Sequence, residues 1–264
     1  MNFQKILRRK EQIMSEISIY FKALFKFDRR NAKKFVIFAQ GRTGSTLLVN
    51  LLDKHPDIKC DSEILHFKRV GKLFFPIKFV KSKAKLCEKD YYGFKVKIYQ
   101  LNSNIKPSQN INPEKFIANL HKSGWKVIYL KRKNLLRQVI SNRVRGKSGR
   151  PHFWTDEKVI IPKINIDYGI LIEGIKRREG YLIDEEKILK NVPHLKVVYE
   201  DDLLNDKTKI MKKIFKYLGV SYYPVKTDLK RTSKDKLSDY ILNYGEIREK
   251  ISKTRYSKYL KGIS

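Results

Sequence analysis

Residues 33–54, with the sequence KKFVIFAQGRTGSTLLVNLLDK, constrain the fold more than any other stretch of the chain. Residues 35–39 form a short apolar run rich in branched and aromatic side chains, which predicts a strand buried on both faces. The leucines and the valine of residues 46–52 predict a helix, and Ser45 or Thr46 is suited to cap its start. A strand, a tight turn and a helix in this order indicate an α/β unit.

The turn between this strand and this helix, QGRTGS at residues 40–45, has the composition of an anion-binding loop. Gly41 and Gly44 let the backbone turn sharply and approach a ligand closely. The free N–H groups at the start of a helix attract negative charge. Further hydrogen-bond donors are the side chains of Arg42, Thr43, Ser45 and Thr46. We therefore predict that residues 41–46 hold a phosphate or a chemically similar group.

Two better-known nucleotide motifs are absent from this loop. A Walker A loop needs a lysine directly after its last glycine, but Gly44 is followed by a serine, which disfavours an ATP or GTP site. The dinucleotide fingerprint G-x-G-x-x-G is also missing. An ordinary tight turn between a strand and a helix remains the alternative, because short glycine motifs are weak evidence by themselves.

Length and charge limit the class of protein. The 264 residues are enough for one large α/β domain with an appendage. The net charge of +32, from 59 Lys and Arg against 27 Asp and Glu, favours a polyanionic partner such as nucleic acid, an anionic membrane surface or a multiply phosphorylated small molecule. Lysine is scattered along the whole chain, however, so part of this charge is simply composition, and no specific nucleic acid is expected.

The cysteines and the apolar runs bear on location. Cys60 and Cys87 form neither a metal-ligand pattern nor a disulfide framework, which predicts a reducing, cytoplasmic compartment. No uncharged run approaches the roughly 20 apolar residues that span a bilayer. Residues 1–32 read as a basic amphipathic appendage to a main domain at residues 33–264. Such a helix can lie on a membrane surface, but packing against its own domain is the favoured interpretation.

An acid and a histidine follow the predicted second strand. Glu63 and His66 lie just beyond residues 57–60, where open α/β sheets place their sites. Either side chain could remove a proton from a bound hydroxyl. A solvated glutamate and a packing histidine are the alternative. The predicted third strand, residues 93–99, carries Lys95 and Lys97 on one face, which indicates a nearby anion or else the solvated face of an edge strand.

A second anion site is predicted after the fourth strand. Arg132 lies at the carboxyl end of the strand formed by residues 126–131, and Ser141 follows on the next helix. The arginines around that serine are Arg137, Arg143 and Arg145. Guanidinium groups bind phosphate bidentately, although a solvated helix face would look similar. Because strands alternate with helices, a parallel sheet should bring both predicted anion loops to the same edge.

Three further segments are candidates for ligand contact. Residues 67–79 and the loop at residues 146–162, which contains His152, could cover an acceptor. Residues 200–202, Glu-Asp-Asp, resemble the carboxylates that hold magnesium in phosphoryl-transfer enzymes. Helix capping and pairing with basic loops is the preferred interpretation of these acids, since the Walker lysine is missing.

Four segments together resemble the sulfotransferases that use 3′-phosphoadenosine 5′-phosphosulfate, most closely the bacterial carbohydrate type represented by nodulation-factor and trehalose sulfotransferases. They are FAQGRTGSTLLVNLL, the acidic stretch at residues 61–64, GFK, and YLKRKNLLRQVISNRVR. A weaker fifth segment is VVYEDDL, followed by a helix that ends near Gly219. The resemblance spans residues 33–244.

This resemblance implies a P-loop-like central parallel β-sheet flanked by helices, and transfer of a sulfuryl group to a hydroxyl of a carbohydrate or glycolipid. It implies that residues 41–46 hold the 5′-phosphosulfate and that Arg132 and Ser141 hold the 3′-phosphate. The family commonly places that arginine eight residues before the serine, the spacing of Lys133, so Arg132 and Lys133 are both candidates. Glu63 matches the carboxylate that acts as general base in the trehalose-type enzymes.

The remaining catalytic roles follow from the chemistry of sulfuryl transfer. Charge develops on the equatorial oxygens and on the leaving phosphate, so fixed cations there lower the barrier. The candidates for this charge stabilisation are Arg42, Lys95 and the loop amides. His66 is the second candidate for the general base, after Glu63. No metal is required by this mechanism. A nucleotide-dependent kinase that uses residues 200–202, or a basic nucleic-acid-binding module, is the alternative function.

Overall fold

A five-stranded parallel sheet lies at the centre of the computed structural model, which describes residues 3–26, 31–104, 106–149, 153–154, 161–230 and 236–260. The strands in chain order are β1 (Lys33–Ala39), β2 (Ile58–Asp61), β3 (Tyr91–Val96), β4 (Trp125–Lys131), β5 (Phe153–Trp154), β6 (His194–Val198) and β7 (Leu229–Lys230). The order across the sheet is β2-β3-β1-β4-β6, and β5 pairs separately with β7 in antiparallel fashion. The predicted fold class, with its central parallel sheet flanked by helices, is confirmed.

Helices connect the strands and cover the sheet. In chain order they are α1 (Phe3–Leu24), α2 (Ser45–Asp53), α3 (Phe67–Val70), α4 (Pro76–Lys85), α5 (Ile98–Leu101), α6 (Pro113–Lys122), α7 (Leu135–Ser148), α8 (Tyr168–Leu189), α9 (Lys207–Leu218) and α10 (Tyr244–Ser252). A single π-helical turn, Tyr199–Leu203, follows β6 directly. Short 3₁₀ segments at Leu237–Asp239 and Arg255–Leu260 flank α10.

Strand β1 is the middle strand, and its alternating side chains build both layers of the core. Phe35 and Ile37 pack with residues of α2 and α9 on one face. Val36 and Phe38 pack with residues of α4, α6 and α8 on the other. All four side chains are fully buried, as the apolar sequence of a strand covered on both faces requires.

The strand order puts a crevice at the carboxyl end of β1. The chain leaves β1, fills the positions of β2 and β3 on one side, and then crosses to β4 on the other side. Open α/β sheets bind ligands at such a switch point, because the connections after neighbouring strands diverge there. The loops that follow β1, β3 and β4 therefore meet at one edge. Strand β3 is an interior strand that contains Lys95 and ends just before Lys97, so the edge-strand interpretation of these lysines is wrong.

Several predicted element boundaries are wrong. The third strand, predicted at residues 93–99, ends at Val96, and Lys97 is the N-cap of α5. The sequence pattern of residues 164–178 and 184–190 predicts two helices, but α8 runs unbroken through the intervening Gly180. A glycine inside a helix costs only about 1 kcal/mol, and packing of the buried side of α8 outweighs this. Helix α7 continues through Gly146 to Ser148, where a loop was expected to begin. Most of the expected covering loop at residues 146–162, including His152, lies outside the described residues.

The N-terminal helix α1 packs against α3 and α4. Arg8 Nη2 donates a 2.6 Å hydrogen bond to the carbonyl of Lys68, and Tyr20 Oη donates one of 3.2 Å to the carbonyl of Phe75. The buried Glu16 carboxylate accepts from the amide of Phe74 at 3.0 Å. Within the described part of the chain, none of the helices combines the length and the apolar character needed to cross a bilayer.

Candidate active site

The loop between β1 and α2 has an unusual backbone. Arg42 (φ +67°) and Gly44 (φ +81°) both adopt left-handed conformations, which only glycine reaches without strain. Gly44 is the N-cap of α2, and no side chain caps this helix. The prediction that Ser45 or Thr46 is the cap is therefore wrong, because both residues already lie inside the first turn.

The hydroxyls of this loop serve different purposes. Thr43 is buried, and its Oγ1 donates a 2.8 Å hydrogen bond to the carbonyl of Gln40, which closes the turn. Ser45 and Thr46 instead line the two cavities described below. Among the predicted hydroxyl donors, the geometry thus makes Ser45 and Thr46 available to a ligand and gives Thr43 a structural contact.

The loop after β4 lies against the loop after β1. Arg132 is buried, and its Nη1 donates a 3.0 Å hydrogen bond to the carbonyl of Arg42. Arg42 Nε in turn donates a 3.0 Å hydrogen bond to Oγ of Ser141 on α7. Lys133 points elsewhere, because its exposed ammonium group pairs with Asp201 at 2.6 Å. Of the two candidates for the 3′-phosphate, only Arg132 lies beside the loop.

Two cavities open from the loop after β1. The first, of about 290 Å³, is lined by Arg42, Gly44, Ser45, Thr46, Arg132, Ser141, Tyr199 and residues of the segments 203–207 and 227–230. The second, of about 560 Å³, is lined by Gly41, Arg42, Ser45, Thr46, Glu63, His66, Lys95, Lys97, Tyr99 and further basic residues. Arg42, Ser45 and Thr46 line both cavities, so the cavities meet at the loop.

A carboxylate held by two lysines lies in the second cavity. Glu63 Oε1 is 2.7 Å from Nζ of Lys97 and 3.3 Å from Nζ of Lys95. Gln100 Nε2 donates a 2.6 Å hydrogen bond to Oε2. Burial opposes ionisation of Glu63, but the charges of Lys97 and Lys95 outweigh it and lower the pKa of the carboxyl to about 2. Glu63 is therefore ionised at neutral pH.

Lys95 connects this carboxylate to the loop. Its Nζ also donates a 3.0 Å hydrogen bond to Oγ1 of Thr46, and its side chain is only 1% exposed. Burial lowers the pKa of Lys95 to about 8 in spite of the adjacent Glu63, and repulsion from Lys97 contributes in the same direction. A buried ammonium group whose charge is costly is well suited to attract an anion into the loop.

His66 occupies the wall of the second cavity, three residues after Glu63. Burial lowers the pKa of its imidazole below the ordinary 6.5, although Glu63 acts in the opposite direction. Its buried Nδ1 has no hydrogen-bond partner among the described residues. A neutral imidazole can accept a proton, so the structure retains both predicted candidates for the base.

The acidic segment after β6 is engaged in structural contacts. Glu200 accepts hydrogen bonds from the amides of Lys133 and Asn134 at 2.8 and 3.0 Å. Asp202 Oδ2 accepts from the amide of Val198 at 2.7 Å. Glu200 thus holds the turn before α7 in place, and Asp201 pairs with Lys133, as the preferred interpretation of this segment expects. Among the residues that the structure describes, no group of three or more His, Cys, Asp or Glu has the arrangement of a metal site.

Sequence reasoning missed two residues that shape the site. The ring of Tyr199 lies 4.8 Å from the guanidinium carbon of Arg132 and is so close to Gly44 that a β-carbon there would come within 2.5 Å of it. The position of Tyr199 at the carboxyl end of a predicted strand, where open α/β sheets bind ligands, is a sequence signal that could have identified it. Arg178 donates hydrogen bonds to Gln40 Oε1 at 3.3 Å and to the carbonyl of Gly41 at 3.2 Å. Its place in the middle of a long helix gave no local signal.

Solved structures similar to this chain include two sulfotransferases. One is a sulfotransferase from Alicyclobacillus acidocaldarius, with a TM-score of 0.51 and 11% identity, and the alignment covers 88% of this chain and 94% of that one. The other is mouse sulfotransferase SULT7A1 complexed with PAP, with a TM-score of 0.48 and 18% identity over 78% of this chain and 65% of that one. No model of a protein family matches the chain, and no curated protein matches its sequence. The first similarity, together with the five-stranded parallel sheet, shows that the chain has a sulfotransferase fold.

Proposed function

We propose that the chain is a sulfotransferase that moves a sulfuryl group from 3′-phosphoadenosine 5′-phosphosulfate to a hydroxyl of a carbohydrate or glycolipid. The observation that carries the proposal is the junction of the two predicted anion loops, through Arg42 and Ser141 on one side and Arg132 and the Arg42 carbonyl on the other. One ligand with two separated anionic groups could contact both loops. The carbohydrate or glycolipid acceptor rests on the resemblance of the sequence motifs.

The residues present fit this donor. The first cavity has cationic and hydroxyl donors in Arg42, Arg132, Ser45 and Ser141. The ring of Tyr199 adds an aromatic surface on which the adenine ring of the donor could stack. Burial, together with repulsion from the nearby charges of Arg145 and Arg132, lowers the pKa of Arg42 to about 10. An anion would relieve this repulsion, because each guanidinium would gain a charge-assisted hydrogen bond.

The second cavity would take the acceptor. When bound, the donor supplies a sulfuryl group whose sulfur forms a bond to the acceptor oxygen while its bond to the 5′-phosphate oxygen breaks. Glu63 accepts the proton that the acceptor hydroxyl loses, and Lys95 and Arg42 stabilise the developing negative charge. Negative charge in the loop would also raise the pKa of Glu63 from its low value, because it opposes the field of Lys95 and Lys97. Glu63 would then be a stronger base with the donor present.

Calorimetric titration with 3′,5′-adenosine bisphosphate tests the donor site. Arg132→Ala should weaken binding by about 10- to 100-fold, since a hydrogen bond to a charged group contributes roughly 1.5–3 kcal/mol. Ser141→Ala should weaken it by a smaller factor. Lys133→Ala is the matched control and should leave the affinity unchanged, because Lys133 lines neither cavity. Unchanged affinity in both Arg132→Ala and Ser141→Ala would overturn the proposal.

A peripheral contact with an anionic membrane surface is part of the proposal. Helix α1 exposes large apolar side chains beside α4, with Phe21 57% and Leu24 68% exposed. The groove between α1 and α4 is flanked by Lys78, Lys81 and Lys85. An apolar face bordered by lysines fits the boundary region of an anionic bilayer. The two cysteines are free thiols, in keeping with the cytoplasmic location proposed for the enzyme.

Co-sedimentation with vesicles tests this contact. The protein should bind vesicles that contain phosphatidylglycerol and should not bind phosphatidylcholine vesicles. Phe21→Ser with Leu24→Ser should reduce binding at least several-fold. The control is Ile183→Ser with Leu242→Ser, which removes two equally exposed apolar side chains from other elements. Equal loss in both double variants would argue against α1 as the contact.

A further inference from the structure

The second cavity is far more basic than the chain as a whole. Among the described residues that line it there are nine Lys or Arg side chains and one carboxylate, that of Glu63. The whole chain has 59 basic residues against 27 acidic ones. The general excess of lysine therefore does not account for this cavity, and the local balance of charge requires an explanation of its own.

The basic side chains fall into two groups. Arg42, Lys95 and Lys97 lie close to the loop after β1, where the proposed function places the transferred group. The outer cations, which line the second cavity and not the first, are Lys68, Lys106, Arg143, Arg145, Arg177 and Arg178. Of these, Arg178 holds the loop through Gln40 and Gly41. Arg143, Arg145 and Arg177 form no ion pair with a described carboxylate.

Repulsion from the outer cations makes the charged forms of the other lysines in the cavity less stable. Burial lowers the pKa of Lys97, and repulsion from Arg145 and Arg178 lowers it further in spite of Glu63. Burial likewise lowers the pKa of Lys106, with repulsion from Arg178, Lys97, Arg145 and Arg177. Side chains from α7, α8 and the segment after α5 thus direct positive charge into one space. A bound anion offsets such repulsion, whereas a neutral ligand does not.

We propose that the acceptor is a polyol that carries its own phosphate, sulfate or carboxylate group, which binds Arg143, Arg145 and Arg177 while a hydroxyl faces Glu63. This inference rests on the proposed function for the meaning of the second cavity. Guanidinium groups bind each of these anionic groups bidentately. The same chemistry is offered by a soluble sugar phosphate and by the polyol headgroup of an anionic lipid, so the test includes both.

Binding is measured by calorimetry, with and without saturating 3′,5′-adenosine bisphosphate. The soluble probes are glucose 6-phosphate and glucuronate, each compared with glucose. At least one charged sugar should bind ten-fold or more tightly than glucose. Arg145→Gln with Arg177→Gln should remove most of that preference. The control variant, Lys213→Gln with Arg248→Gln, changes the net charge equally with exposed residues outside both cavities, and should retain the preference.

The lipid source is tested with phosphatidylinositol vesicles under the same conditions. Tighter binding to these vesicles than to soluble sugars, lost in Arg145→Gln with Arg177→Gln and kept in the control variant, would assign the headgroup. Equal affinity for charged and neutral sugars with no such vesicle effect, or equal losses in the two double variants, would overturn the inference. Failure of the bisphosphate to bind would overturn the proposed function instead, because the titrations without nucleotide still test the outer arginines.

Discussion

Nε of Arg42 donates a 3.0 Å hydrogen bond to Oγ of Ser141, a residue 99 positions further along the chain. This contact joins the loop after β1 to helix α7, and Arg132 adds a second connection through the Arg42 carbonyl. The two loops that the sequence marks separately as anion sites are thus one continuous surface. The contact also fixes the direction of a guanidinium group that lies where the two cavities meet.

Substitution of Gly44 should damage the loop more than backbone strain alone explains. Gly44 and Gly124 have nearly equal φ angles, +81° and +80°, but a β-carbon at Gly44 would come within 2.5 Å of the Tyr199 ring, whereas one at Gly124 would meet nothing within 4 Å. Gly124→Ala should cost about 1–2 kcal/mol of stability from the left-handed backbone. Gly44→Ala should cost at least about 1 kcal/mol more, because overpacking adds to the strain. Urea denaturation measures both variants, and equal losses would contradict the expected clash.

Glu63 and His66 can be separated as candidates for the base. Glu63→Gln should lower kcat by roughly 10²–10⁴-fold, the usual contribution of a general base. Its affinity for 3′,5′-adenosine bisphosphate should stay equal or rise, because Lys95 and Lys97 lose a competing carboxylate. His66→Gln should leave kcat within a few-fold. Steady-state rates with labelled donor and calorimetry provide the two readouts, and full activity of Glu63→Gln would remove Glu63 from the mechanism.

The dependence of kcat/KM on pH gives an independent test of these roles. Since burial lowers the pKa of Lys95 to about 8, the rate should fall above that pH as its ammonium group loses the proton. The low pKa of Glu63, about 2, keeps the carboxylate ionised, so the rate should stay level down to pH 5. A fall in rate as the pH drops through a value below 6.5 would instead indicate His66 as the base. Lys95→Arg should move the alkaline decline to higher pH.

A buried carboxyl group near the loop should make stability depend on pH. Glu185 is fully buried, and burial raises its pKa to about 7 although Gln40 and Tyr129 donate hydrogen bonds to it. In the unfolded chain this group loses its proton near pH 4.5, so the unfolded state binds fewer protons between pH 4.5 and 7 and stability falls as the pH rises. The loss approaches about 3 kcal/mol at pH 8. Urea denaturation at pH 5 and pH 8 should show this loss in the native protein and not in Glu185→Gln. An identical pH dependence in both would refute it.

The sequence was sufficient to predict the sheet and both loops, because these features depend on local patterns. The apolar run of residues 35–39 permits burial on both faces, and the following glycines mark the sharp turn. Strands that alternate with helices leave few arrangements other than a parallel sheet with its loops at one edge. The local pattern gave a wrong N-cap for α2, where the left-handed Gly44 takes the place of a side-chain cap. It also predicted a break near Gly180, where the packing of α8 outweighs the low helix propensity of glycine.

Only the tertiary structure decided which of two adjacent residues faces the loop and which charges share a cavity. Arg132 and Lys133 are adjacent cationic residues, and the sequence pattern alone does not distinguish them as phosphate ligands. In the structure Arg132 is buried against Arg42 at the end of β4, whereas the exposed Lys133 pairs with Asp201. Arg145 and Arg178 belong to different helices and reach the same cavity through the packing of α7 on α8. Sequence alone determined the chemistry of each segment, because side-chain type and backbone preference are local. The convergence of distant charges depends on how the layers pack, and no local pattern encodes it.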